Sequence, residues 1–269
     1  METIPVQDVS LNGQVLFYEK PELLSKELHA KLGVNPPSAR FTFAAKAHFC
    51  PLTVPEFGPA SLTYPIIFVG SDYAPVAVMG LQDGQNLYTT DKDGFDLDAY
   101  IPCYIRRYPF VLAGAETDEA TGEQKLLVGI DRGYEFITEN APFPFFENGE
   151  PTAYTQRCIQ FCSDFETQHQ MTLSFVAMLR ELDLLEPRTA TYTPSNPDGT
   201  QAGEPQTVAQ FFGVSEAKLA ALPDAKVIEL KNNGALQQIY AHLNSLIGWE
   251  RLIMRALARA NQPPVAANA

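Results

Sequence analysis

Two adjacent arginines, Arg106 and Arg107, interrupt the apolar and aromatic run AYIPCYIRRYPFVLAG of residues 99–114. A guanidinium stays charged and presents five donors in a rigid fork that matches a carboxylate, so such a pair inside an apolar run calls for anions. Read as strand, the two side chains point to opposite faces, and one meets the packed side unless the pair lies at a strand end. Asp131 and Glu135, in the segment GIDRGYEF, could then close an internal ion pair. The alternative is a peptide or another carboxylate-bearing ligand held by Arg106 or Arg107, with Tyr108 and Asp131 beside them.

Three further groups could do chemistry. Cys158, Cys162, Glu166 and His169 recur at helical spacing, and Glu-x-x-His is half of a carboxylate-bridged metal site. The second half is missing, because His242 is preceded at the matching position by Ile239. His48 and Cys50 could form a ligand pair or a Cys-His dyad on one face of an extended segment. Asp83, Asp91, Asp93, Asp96 and Asp98 gather enough oxygens to interest calcium, but Gly94 and Pro102 stand where an EF-hand loop counted from Asp91 would not have them. Buried or solvated structural roles are the simpler reading of all three, with His48, Glu166 and His169 as weak metal alternatives. Dinucleotide, phosphate-loop, serine-hydrolase and zinc-protease motifs do not occur, and any cofactor stays unknown.

The elements that must position these residues change character along the chain. From about residue 40 to 150, runs of four to seven apolar residues such as YPIIFVG, APVAVMG and QKLLVGID are broken by Gly, Pro, Asn and Asp. They predict short, half-buried strands. The polar stretch AETDEATGEQ predicts a hairpin loop between FVLAG and KLLVGI. Pro142, Pro144 and Pro151 mark a boundary, after which Cys158, Cys162, Phe165, His169, Leu173, Val176 and Leu179 or Arg180 form one stripe of a long helix that Pro187 stops. Residues 189–206 read as a loop with a short strand at each side. After Asn233-Gly234 a helix of about 25 residues is predicted, with Leu236, Ile239, Tyr240, Leu243, Leu246, Ile247, Ile253 and Leu257 on one face. The expected fold is α+β, a mainly antiparallel β-rich N-terminal half packed on a long helix and a C-terminal helical region. Its expected parts are an extension at 1–37, a β-rich half at 38–150, a helical half at 151–260 and a disordered tail at 261–269.

Composition narrows the partners. The 269-residue chain carries 19 Lys plus Arg against 32 Asp plus Glu, a net charge of -13 that repels phosphate backbones. Nucleic acid is therefore not expected. Residues 226–269 hold five bases and two acids, a local +3 that leaves -16 elsewhere, so oppositely charged faces of two copies could meet in a homodimer through the C-terminal helices. No segment has the length and apolarity of a membrane span, and METIPVQDVSLNGQVLFYEK has neither a basic n-region nor an apolar h-region. The expectation is a cytoplasmic protein with four reduced cysteines.

The segments TYPIIFVG, VMGLQDGQNLY, YIPCYIRRYPFVL, FCSDFETQHQMTLSFVAMLRELDLLEP and IYAHLNSL together resemble the SapC family of bacterial proteins over residues 38–257. The resemblance implies an association with bacterial surface layers, and with gene clusters that also hold outer-membrane uptake receptors and flavin-dependent halogenase-like proteins. It brings no catalytic residue set. Two kinds of function follow: an accessory or binding protein that recognises a peptide or carboxylate, and an enzyme or enzyme partner working at a metal- or cofactor-dependent site.

Overall fold

The computed structural model describes residues 16–37, 41–90, 94–117, 124–194 and 200–260. Short strands make up the N-terminal half, as the broken apolar runs predict. First come β1 (Pro21–Leu23), the turn α1 (Lys26–His29), β2 (Leu32–Val34), β3 (Phe49–Pro51), α2 (Phe57–Ser61) and the hairpin of β4 (Ile66–Val69) and β5 (Ala74–Val78). The two-residue strands β6 (Thr89–Thr90) and β7 (Gly94–Phe95) precede α3 (Cys103–Arg106) and the long hairpin of β8 (Phe110–Thr117) and β9 (Gln124–Asp131). Then β10 (Ile137–Glu139), β11 (Phe143–Pro144), β12 (Phe146–Glu147) and β13 (Glu150–Pro151) lead into the long helix. Among the described residues every strand pairing is antiparallel. Strands β1 and β2, from the stretch read as an extension, pair with β9 and with β10 and β11 respectively.

The C-terminal half holds α4 (Ala153–Glu181), β14 (Leu185–Tyr192), β15 (Gln206–Val214), α5 (Glu216–Ala220), α6 (Asp224–Asn232), α7 (Ala235–Ser245) and α8 (Gly248–Ala260). The protein is thus α+β. Helix α4 ends before Pro187, at Leu182 and at Asp183, whose φ of 51° is left-handed. Pro187 instead lies in β14, an edge strand of the five-stranded sheet β14-β15-β4-β5-β3, where a missing N–H is tolerated. The segment read as a loop at 189–206 is framed by strands of eight and nine residues, and its residues 195–199 lie outside the described part, as does the tail at 261–269.

Two hydrophobic clusters share α4, which at 29 residues is about 43 Å long. Its first turns bury Cys162 with Val34, Phe110, Val128, Ile130 and Phe145 in the smaller cluster. Its later turns bury Phe165, Phe175, Val176 and Leu179 in the main core under the five-stranded sheet. Because the helix serves two cores, its buried residues do not keep one stripe: Thr172 and Phe175 are buried, while Leu173 is exposed. The C-terminal helix is likewise two helices, broken at Leu246 and Ile247. Gly248 there lies against Pro65, where an added Cβ would come within 3.3 Å of the Pro65 nitrogen. Tyr240, Ile247 and Leu257, expected on the buried face, are exposed. The basic excess of this region is partly used internally, since Arg255 pairs with Asp96 at 2.6 Å and Arg259 donates to the Asn86 carbonyl at 2.9 Å.

The two halves of the central sheet meet where β15 pairs with β4 through Phe212 and Phe68. One step on, in the same register, Val214 and Ile66 are joined by an imidazole in place of a direct bond. Val214 N–H donates to His242 Nε2 at 3.0 Å, and His242 Nδ1–H donates to the Ile66 carbonyl at 2.9 Å. Ile66 N–H donates to Ser245 Oγ at 2.9 Å, so two side chains of α7 complete the backbone bonding of this strand end. Gly213 leaves the room, because a Cβ there would lie 3.3 Å from His242 Nε2.

Candidate ligand-binding cleft

Arg106 and Arg107 lie on a helical turn rather than in a strand. Pro102 occupies the N-cap of α3, Arg106 N–H and Arg107 N–H close bonds to the carbonyls of Pro102 and Cys103 at 3.0 Å, and Pro109 ends the run. A turn of 100° per residue still sends the two side chains apart. Arg106 is exposed, whereas Arg107 is 4% exposed, its guanidinium 4.1 Å from the Tyr104 ring and 4.4 Å from that of Phe165 on α4. Arg107 therefore sits where α3 meets α4, stabilised by two aromatic faces.

Arg106 is held at three points. Its Nε donates to the Ile101 carbonyl at 2.9 Å, and its Nη2 reaches Tyr100 OH at 3.3 Å and Cys103 Sγ at 2.8 Å. These partners hang on Glu56, a carboxylate 3% exposed. Its Oε1 accepts from Tyr100 OH at 2.9 Å and Cys103 N–H at 2.6 Å, and its Oε2 from Thr53 N–H at 2.9 Å and Thr53 Oγ1 at 2.8 Å. Glu56 thus closes a capping box on its own 3-10 turn and caps α3 as well.

Beside this turn lies a cleft of about 290 Å³ between α3, the start of β8 and the first turns of α4. Among the described residues, three arginines line it, Arg106, Arg107 and Arg157, and no acidic residue does. Phe110, Tyr154 and Phe161 form apolar walls, with Tyr108 and Cys158 completing them. The Arg106 guanidinium lies 5.5 Å from the Phe161 ring. Arg157 is exposed on α4, at the cleft mouth, and takes part in no ion pair among the described residues.

Two thiols and two phenols around the cleft shift away from reactivity. Burial pushes the Cys103 thiol up to about 12, with Glu56 adding to the effect and Arg106 opposing it. Burial likewise raises Cys158, and raises the phenols of Tyr108 and Tyr154 well above their usual range. Protonated thiols and phenols are poor nucleophiles and bases.

The other residues singled out in the sequence are dispersed. Asp131 is fully buried and accepts from the backbone N–H groups of Glu19, Lys20 and Gly133 and from Tyr108 OH at 2.8–2.9 Å. Neither Asp131 nor Glu135 forms an ion pair with Arg106 or Arg107. Asp131 instead fixes the entry of the chain at residues 19 and 20 and the Tyr108 ring, which stacks on Phe43 at 4.0 Å. His48 meets Asp83 at 3.3 Å, and burial lowers its pKa. Cys50 is fully buried, its thiol reaches the Pro51 carbonyl at 3.6 Å, and burial raises its pKa well above normal. Glu166 accepts from Gln170 at 2.7 Å, and among the described residues no three His, Cys, Asp or Glu side chains are grouped to hold a metal. Asp96 takes Arg255, while Asp91 and Asp93 lie outside the described residues. Arg157 was not among the sequence candidates. Its position one turn before Phe161 is ordinary for a solvated helix face and carries no local signal.

Fold and cleft together define an α+β protein with a cationic, aromatic-walled cleft beside its long helix. The chain belongs to the SapC family, whose model matches residues 24–252. No curated protein and no solved structure matches it. Among the described residues, no helix is long and apolar enough to cross a membrane.

Proposed function

We propose that this protein is a binding accessory protein that takes a carboxylate-bearing ligand in the cleft between α3 and α4, in keeping with a supporting role in bacterial surface or outer-membrane uptake systems. The supporting observation is the lining itself: three arginines and, among the described residues, no acid, in a chain whose net charge is -13. Arg106 and Arg157 supply the forks for a carboxylate, Arg107 lies at the base, and Phe110, Tyr154 and Phe161 receive an apolar or aromatic body.

Isothermal calorimetry with a panel of aromatic and aliphatic carboxylates tests this. The expected result is binding that weakens at least tenfold in Arg106→Gln and in Arg157→Gln, with a Tm within a few degrees of wild type, because exposed arginines add about 1 kcal/mol or less to stability. Affinities unchanged by both substitutions, or a panel with no binder, would overturn the reading.

A further inference from the structure

The apolar wall of the cleft continues past its mouth. Tyr154, which lines the cleft, lies 5.5 Å from the ring of Phe143, and Phe143 on β11 is 44% exposed. An isolated small acid of about the cleft's volume would leave that ring uncovered. Two residues of extended chain span roughly 7 Å, the scale of the step from Tyr154 to Phe143.

Resting on the anion-binding reading above, we infer that the occupant is the C-terminal end of a peptide. Its terminal carboxylate meets Arg106 and Arg157, its last side chain, apolar or aromatic, enters between Phe110, Tyr154 and Phe161, and an apolar side chain two residues earlier covers Phe143. Charge complementarity selects the terminus: a free main-chain carboxylate brings the anion and the adjacent apolar side chain at fixed spacing, as backbone-end capture requires. An internal Asp or Glu would set its carboxylate at the tip of its own side chain and leave the apolar walls to a neighbour.

The test is equilibrium dialysis of the whole chain against a pool of N-acetylated random tetrapeptides with free C-termini, and against the same pool amidated, each read by mass spectrometry. Calorimetry then compares the best retained peptide with N-acetylphenylalanine and with laurate. The inference expects enrichment from the free-acid pool with apolar last residues, at least tenfold weaker binding of the amide and of N-acetylphenylalanine, and a threefold or larger loss in Phe143→Ser but not in Leu97→Ser, an exposed control that does not line the cleft. If N-acetylphenylalanine binds as tightly as the peptide, or laurate more tightly, the cleft remains a carboxylate site and the peptide inference fails. If amidated and free peptides bind alike, the peptide inference fails, and if no carboxylate probe binds, both fail.

Discussion

Replacing Glu56 by alanine is expected to destabilise the protein by about 5 kcal/mol and to lower its Tm by roughly 10 to 20 °C. Four donors converge on this one buried carboxylate, two of them backbone N–H groups that have no alternative partner, and each donor left unsatisfied in the interior costs about 1 to 3 kcal/mol. Glu56→Gln keeps the shape but turns an NH2 group toward donors. It should recover part of the loss and remain about 2 to 3 kcal/mol below wild type. Chemical denaturation at constant pH measures both, and a glutamine variant as stable as wild type would show that the negative charge has no structural role.

The same substitution reaches the cleft. Arg106 is steered by Tyr100 OH and Cys103 Sγ, and both depend on Glu56 for their own placement. In Glu56→Gln, ligand affinity should therefore fall while Arg157 and the aromatic walls are untouched. Carboxylate binding that survives unaltered in that variant would mean that Arg106 finds its geometry from the Ile101 carbonyl and the backbone of α3 alone.

How much of this was legible depends on whether the signal is local. The β8–β9 hairpin was readable because a polar loop separates two strand-like runs, and antiparallel pairing is then the short connection. The arginine turn was not, because a short apolar run reads alike as buried strand or buried helix. The prolines at 102 and 109 that bracket one helical turn were the available cue. Helix α4 was legible as a helix, but its buried face was not, since two separate clusters draw on different faces of one rod. For the cleft, Arg106 stood out by contrast with its apolar neighbours. Arg157 did not, because a cation on a solvated helix face acquires meaning only from what the fold sets opposite it. The helix neighbours of His242 carry no sign of its role, which comes from two strands, one 28 and the other 176 residues away.

That histidine should make the joint in the central sheet sensitive to acid. Burial, followed by the charge of Arg188 and opposed by the bond to the Ile66 carbonyl, lowers its pKa from 6.5 to about 4. The folded state therefore favours the neutral ring, which it needs, because Nε2 must accept from Val214 N–H while Nδ1–H donates. With the folded pKa below the unfolded one, the unfolded chain takes up the proton first as pH falls. The contribution is complete above about pH 6.5, declines between there and about pH 4, and is lost below it, a total of about 3 kcal/mol. His242→Ala at pH 7.5 should cost about 3 to 5 kcal/mol, since it empties a buried site and strands one donor and one acceptor at the seam between β4 and β15. Carboxylates elsewhere also titrate in this range, so the diagnostic quantity is the stability difference between wild type and the variant. It should shrink by about 3 kcal/mol from pH 7.5 to pH 4, and a difference constant across that range would mean that the imidazole does not bridge the strands as a neutral ring.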